Sequence, residues 1–424
     1  MIATMGSTIV TRWLLAAAAG LSGALLASCS GGSNTQNAQN TSGSSGGTVI
    51  KIGVDLPLSG GDASDGVPTA NGAKLAIIDA NNKHLVPGFT LEASITDDAV
   101  NGVHSPNQGV KNIQAFYSDP AVLAVVGPFN SNVAKAEIPL SNNLGIALVS
   151  PSTTNPDLTK GPAAVALRTT NPNAITFFRV CATDDIQGPA GADYAAQVMK
   201  LVTAYVLDDN ETYGRGVADQ WAAEFTRDGG TVLGHDHITK GQQDFHALLT
   251  RIASQNPTVL FYGGTTSTGG GLVRKQMPDS GLGAIPYFGA DGIRNDELLR
   301  AAGSAADNTY ATVAAVNADK IPAAKAFLAE YQQQFHQTVG SYSAGGYVSA
   351  MVLIDAIAAG VKANGGKAPT RADVLTYLRS GKTFDSIIGR FSFDKNGDST
   401  NKIISIYGVK NEAWQFLTQK NYAK

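Results

Sequence analysis

Two clusters of small polar residues hold the chemistry most readily available to this sequence. Asn130-Ser131-Asn132 follows Gly127-Pro128 at the end of a valine-rich run, and Ser150-Pro151-Ser152-Thr153-Thr154-Asn155-Pro156 follows Ile146-Ala147-Leu148-Val149. A hydroxyl in the first turn of a helix, beside backbone N–H groups that have no helical partner, attracts a carboxylate or a phosphate. Ser, Thr and Asn at such positions also act as plain helix caps. Residue type alone leaves both readings open.

Other chemistries fit less well. Neither Ser131 nor Ser152 sits in Gly-x-Ser-x-Gly, and no histidine has a supporting acid in a recognisable place. Gly263-Gly264 to Gly271 is rich in glycine but lacks the Gly-Lys-Ser/Thr ending of a phosphate cradle. It reads as a flexible loop. His235 and His237 alternate along a predicted strand and could share a face, yet no third zinc ligand is visible. Asp394-Lys395-Asn396-Gly397-Asp398 has calcium-like oxygens, but its glycine is fourth rather than sixth, so a hairpin turn is expected. Cys181 reads as a small buried hydrophobe. No catalytic residues, metal or cofactor are expected.

The elements that would position the polar clusters are strands and helices in alternation. Ala121 to Val126 is a continuous apolar run that suits a parallel strand buried on both faces. A helix from Ser131 to Asn142 then leads to the strand Ile146 to Val149. Earlier come a strand at Val49 to Val54, a helix at Asn71 to Asn81, a strand at Leu91 to Ile95 and a helix at Pro106 to Tyr117. Arg179 to Asp185 reads as a strand crossing to a second lobe. That lobe repeats the pattern, with strands at Ala204–Leu207, Thr231–Leu233, Val259–Tyr262 and Pro286–Phe288. Tyr310 to Val316 crosses back, and helices at Ala323–Phe335 and Ala344–Lys362 and from Arg371 follow. Ile388–Phe393 and Lys402–Trp414 read as strands joined at Asn396-Gly397. The pattern predicts an α/β fold of two three-layer αβα lobes joined by a multi-strand hinge. Residues 48–183 and 314–386 would form the first lobe, and 184–313 and 387–424 the second. In doubly wound sheets, ligands sit beyond the carboxyl ends of the strands, where both polar clusters fall.

The chain has 424 residues, a formal charge of −3 and 43 % apolar residues. It can bury a substantial core, and no basic run points to nucleic acid. Its two cysteines, Cys29 and Cys181, are too few for a disulfide scaffold. At the start, Arg12 precedes an apolar run from Trp13 to Leu21 that is too short to span a bilayer. Leu26-Ala27-Ser28-Cys29 resembles a bacterial lipoprotein cleavage box. Residues 1–28 would then be the signal peptide and Cys29 the lipid-bearing residue. Ser30 to Gly47 is almost wholly Ser, Gly, Asn, Gln and Thr, a tether with a reach of roughly 21–25 Å.

Gly127-Pro128-Phe129-Asn130-Ser131 and Ile146 to Pro156 resemble the leucine/isoleucine/valine-binding family of periplasmic solute receptors. Asn71-Gly72-Ala73, Thr96-Asp97-Asp98, Tyr213-Gly214, Phe261-Tyr262-Gly263-Gly264 and Gly289-Ala290-Asp291-Gly292 extend the resemblance in family order from Thr48 onward. It implies a type I periplasmic binding protein that closes around an amino-acid-like solute and delivers it to an ABC permease and its ATPase. Ser131 and the Thr154 N–H would hold the carboxylate. The Ser152 carbonyl and the Thr154 hydroxyl of the Ser152-Thr153-Thr154 loop, with the Asp291 carboxylate, would hold the ammonium. Asp291 stands where the family usually has glutamate. Tyr213 would be the second lobe's contact. Asp65 and Thr265 fall where the relatives place aromatic residues, which predicts a small, polar or basic ligand. A receptor of the same fold for an amide or an aromatic or organic acid, and a ligand-sensing subunit of a signalling system, are the alternatives.

Overall fold

A computed structural model of the chain describes residues 48–423. The expected signal peptide, Cys29 and the tether lie outside the described residues.

Five strands form the first sheet: β1 (Thr48–Leu56), β2 (Phe89–Asp97), β5 (Val122–Val126), β6 (Ala147–Ser150) and β7 (Phe177–Arg179), with a two-residue pair, β3 (Ala99–Val100) and β4 (Val103–His104), beside it. The sheet runs in the order β2-β1-β5-β6-β7 and is parallel throughout. Because side chains alternate along a strand, its two faces feed two cores. Ile50, Ile52, Val54, Ala147 and Val149 join the helices Ala63–Asn82 and Ser343–Ala363, while Val122, Leu148 and Phe177 join Pro106–Ser118 and Ser131–Leu144. Ser343–Ala363 is apolar enough to cross a membrane. Here it packs along Ala63–Asn82, with most of its residues buried in the protein core.

The second sheet is built the same way from β8 (Thr203–Asp208), β9 (Thr231–His237), β10 (Val259–Gly263), β11 (Tyr287–Gly289) and β12 (Thr309–Val313), which are parallel. Tyr205, Leu207, Leu260 and Tyr262 face one layer of helices. Ala204, Val206, Val259 and Phe261 face the other, where Trp221 stacks 4.5 Å from Phe261. The fold is thus α/β with two αβα lobes.

The tail departs from expectation. β13 (Thr383–Ser386) pairs with β14 (Gly389–Ser392) as a separate hairpin, and β15 (Ile403–Lys410) pairs with β16 (Ala413–Asn421), extending the second sheet antiparallel to β12. Ile388, Phe391 and Phe393 belong to the first lobe's core, so the expected boundary at 387 falls inside a first-lobe hairpin. The Asn396-Gly397 turn exists, with Asp394 Oδ1 accepting from the Asn396 and Asp398 N–H groups at 2.8 and 3.0 Å, and Phe393 bridges Ser399 antiparallel across it, but β14 and β15 pair with other strands and not with each other. The long hairpin turns instead at Asn411 and Glu412, both at φ near +55°. Three segments cross between lobes. They follow β7, follow β12 and precede β15, and Ala182 donates its N–H to the Ala314 carbonyl where two of them meet (3.0 Å).

Candidate functional site

Loops at the carboxyl ends of β5, β6, β10 and β11 converge between the lobes. Phe129, Asn130, Ser131, Ser152, Thr154, Tyr213, Thr265, Asp291 and Gly292 line one small pocket there. Six of the eight residues singled out for ligand contact are in this wall.

On the first-lobe side, Ser131 opens the helix Ser131–Leu144 behind Asn130, whose side chain makes no cap bond. The helix start therefore presents backbone N–H groups and a positive dipole end toward the pocket. Ser131 Oγ accepts from the Asn155 N–H at 3.3 Å, and Ser152 Oγ donates to the Phe129 carbonyl at 2.9 Å. The Thr154 hydroxyl and the Asn130 Oδ1 are buried without a partner among the described residues. A buried hydroxyl or amide oxygen in that state costs free energy until something hydrogen-bonds it.

The second-lobe side centres on Asp291. Its Oδ1 accepts from the Tyr213 hydroxyl at 2.9 Å and from Gln187 Nε2, and its Oδ2 accepts from the Tyr342 hydroxyl at 3.0 Å. Tyr213 also accepts the Gly292 N–H at 2.9 Å, so one hydroxyl ties the loop to the helix Thr212–Arg227. Glycine is required at 292, since a Cβ would stand 2.4 Å from the Gly264 carbonyl oxygen and 2.9 Å from the Tyr213 ring. Burial raises the Asp291 carboxyl above its ordinary value, against the pull of its three hydrogen bonds. Gln187 Nε2 also donates to Asp184 Oδ1 at 3.1 Å. Burial and the neighbouring Asp291 charge push the Asp184 carboxyl well up. Two buried carboxyls share one amide, an arrangement that favours a cation nearby.

Two expected contacts lie elsewhere. The Thr153 hydroxyl turns to Ser150 Oγ at 2.7 Å, inside its own loop. Asp65 accepts from Asn295 Nδ2 of the second lobe at 2.7 Å, outside the pocket wall. The glycine-rich segment before Asp65 forms a short helical turn, Gly60–Asp62, that leads into Ala63–Asn82, and burial pushes the Asp65 carboxyl up to about 8. Thr265 does line the pocket, but its hydroxyl is held in a capping box with Thr268.

Arg179, Gln187 and Tyr342 were not singled out from sequence. Arg179, fully buried, donates to the Thr153 and Asn155 carbonyls at 2.9 and 2.8 Å, on either side of Thr154, and its Nε meets Asp398 Oδ1 at 2.7 Å. It fixes the loop that presents Thr154. A charged residue inside a predicted buried strand was the available signal. Cys181 is free and buried, and burial pushes its thiol up to about 12.

The sequence profile of the periplasmic binding proteins matches residues 49–413. The chain belongs to the periplasmic binding proteins. Among its relatives, the Leu/Ile/Val-binding protein BraC3 of Rhizobium johnstonii is 33 % identical over 365 residues, covering 84 % of this chain and 91 % of that one. A leucine-binding protein, LivK, of Thermotoga maritima superposes with a TM-score of 0.75 at 25 % identity, over 88 % of this chain and 99 % of that one. A solute-binding protein of an ABC transporter from Rhodopseudomonas palustris, solved with 3,4-dihydroxybenzoic acid, shares the fold at a TM-score of 0.71 and 23 % identity, over 89 % of this chain and 98 % of that one. The type I architecture of this periplasmic binding protein places the pocket between lobes that hinge segments connect. In the arrangement seen here the pocket is closed to about 20 Å³, room for about one water. Admitting a solute requires the lobes to part.

Proposed function

We propose that this periplasmic binding protein captures a small amino acid or amino-acid-like solute between its lobes, without chemical change to the solute. The observation that carries the reading is one pocket wall containing both a helix N-terminus with Ser131 and the Asp291 carboxylate. The first suits a carboxylate and the second an ammonium. Ser131 and the Thr154 N–H hold the acid end, and Ser152, Thr154 and Asp291 the amine end. Tyr213 positions Asp291, and Thr265 meets the side chain.

An aromatic acid suits the site less, because two buried carboxyls, Asp184 and Asp291, would meet no positive charge. The family's work outside the cytoplasm, together with the Leu-Ala-Ser-Cys box, supports an extracytoplasmic receptor anchored through lipid on Cys29. Its partners are the permease and ATPase of an importer. Thermal unfolding of the protein with single amino acids, amides and aromatic acids tests the reading. A ligand at 100 times its dissociation constant stabilises by about 2.7 kcal/mol. Stabilisation by aromatic acids alone would overturn the amino-acid reading.

A further inference from the structure

At the outer edge of the second sheet, away from the pocket wall, three side chains converge that the solute site does not use. β9 is the edge strand, paired in parallel with β8. His235 and His237 are two residues apart, so they share one face of it. The register sets His237 opposite Asp208, the last residue of β8. Asp208 Oδ2 lies 2.6 Å from His235 Nε2, and Oδ1 lies 2.7 Å from His237 Nδ1. The carboxylate side chain is fully buried, whereas the imidazoles are 24 % and 45 % exposed. Spacing along the chain shows two histidines and no third donor. Strand pairing supplies the third.

We propose that Asp208, His235 and His237 form a binding site for a divalent transition-metal ion, zinc foremost. Two imidazole nitrogens and one carboxylate oxygen make a three-ligand zinc set with a position left for water. The donor atoms lie within 4.8 Å of one another, so small side-chain rotations seat an ion about 2.0–2.2 Å from each. The ion takes the place of the protons on the two nitrogens that now face Asp208. Calcium and magnesium call for a shell built almost wholly of oxygen, and this cluster supplies a single carboxylate.

The surroundings support the set. Asp208 Oδ1 also accepts the Asn210 N–H at 2.7 Å, which fixes the carboxylate plane. Asp219 Oδ1 stands 3.7 Å from the other nitrogen of His235, within a small movement of the outer hydrogen bond that metal-bound imidazoles use. The exposed rings leave a path for the ion.

The test is titration of chelator-treated protein with zinc ions alone, followed by calorimetry and thermal unfolding, with cobalt(II) absorption as a spectroscopic probe. One zinc per chain and a rise in Tm are expected, with no comparable rise from calcium or magnesium. His235→Gln and His237→Gln should each weaken zinc at least as much as the about 10- to 100-fold that loss of an outer partner costs. They should also abolish the visible cobalt bands. His246→Ala, on an exposed histidine at the start of the helix His246–Ala253, should leave both signals unchanged. Because His237 is nearly half exposed, His237→Gln should fold normally, as its unfolding without metal will show. The proposal is overturned if wild type shows no saturable zinc binding, if His237→Gln binds zinc as tightly as wild type, or if calcium shifts Tm equally.

Discussion

His104 Nε2, in the first lobe, lies 2.7 Å from Glu211 Oε2 in the second, and its other ring nitrogen lies 2.7 Å from Asp62 Oδ2. Glu211 also accepts from Asn132 at 2.9 Å and from Lys240 at 3.0 Å. This buried imidazole is one charged contact between the lobes, and Lys160 with Asp185 at 2.8 Å is another. Burial lowers its pKa, but hydrogen bonds and charge from Asp62 and Glu211 outweigh that and raise it from 6.5 to about 10. A raised folded-state pKa gives stability that is fully present below the unfolded value and is lost as pH rises. The window is therefore pH 6.5 to about 10, at up to about 1.4 kcal/mol per pH unit. Asp62 and Glu211 are held below their ordinary values despite burial, so their share is lost in acid instead. Thermal unfolding should show stability falling from pH 6.5 toward 10, and His104→Gln should flatten that slope. An equal slope in the variant would show that other groups set it.

Asp291→Asn should weaken a cationic solute by about 2–5 kcal/mol, because its ammonium would be enclosed without a counter-charge. The fold should tolerate the change, since the new amide can keep Oδ1 toward Tyr213 and donate to the Tyr342 hydroxyl. Calorimetry on a variant with unchanged Tm checks this. Ser131→Ala should cost less, because the backbone donors of the helix start remain.

Arg179→Met should destabilise by about 3–5 kcal/mol, since it leaves the fully buried Asp398 carboxylate without its hydrogen-bonded partner and with only Lys160, at 3.6 Å, as counter-charge. Burial alone would raise the Asp398 carboxyl, but Arg179's charge and hydrogen bond hold it below its ordinary value. The Thr153 and Asn155 carbonyls would also lose their donor. Solute affinity should therefore fall along with Tm, by way of Thr154. Chemical denaturation and calorimetry measure the two effects separately.

How legible all this was in the sequence depended on the range of the contacts. Valine-rich runs announced the buried parallel strands, because burial on both faces leaves little freedom of composition. Ser131, Ser152, Thr154 and Asp291 sit at strand ends, and topology carries strand ends to one cleft. Gln187, Tyr342 and Asp208 were missed because their partners lie far along the chain or on a neighbouring strand. No local pattern encodes such a meeting. The tail was misread because a turn signal at Asn396-Gly397 says that the chain reverses, and does not say which strands then pair. Asp65 failed for a related reason: a loop's register decides whether a carboxylate faces the pocket or, as here, Asn295.

Membrane attachment should depend on Cys29. A single acyl chain holds a protein only marginally, whereas two or more anchor stably at about 0.8 kcal/mol per buried CH₂. Cys29→Ala should move the protein to the soluble fraction or leave it unprocessed. Mass spectrometry of the wild-type amino-terminal peptide should show the acyl groups on Cys29.

Selectivity should follow Thr265 rather than Asp65. Thr265 lines the pocket beside Tyr213 and Gly292, and Phe129 closes another side, braced edge-on by Tyr342 with ring centres 5.6 Å apart. That wall leaves little depth for a branched side chain and offers a hydroxyl in place of apolar surface. A small or polar amino acid should therefore compete better than leucine. Thr265→Val keeps the shape and removes the hydroxyl together with its capping bond from the Thr268 N–H, so Tm is measured beside affinity. It should cost a polar solute about 0.5–1.5 kcal/mol, the usual net worth of one hydrogen bond, and leave alanine unchanged. Asp65→Asn should leave the order of ligands as it is, because the carboxylate bonds Asn295 outside the wall. A competition series on the three proteins decides the matter. Leucine binding above every polar candidate in wild type, or a reordering caused by Asp65→Asn alone, would assign selectivity elsewhere.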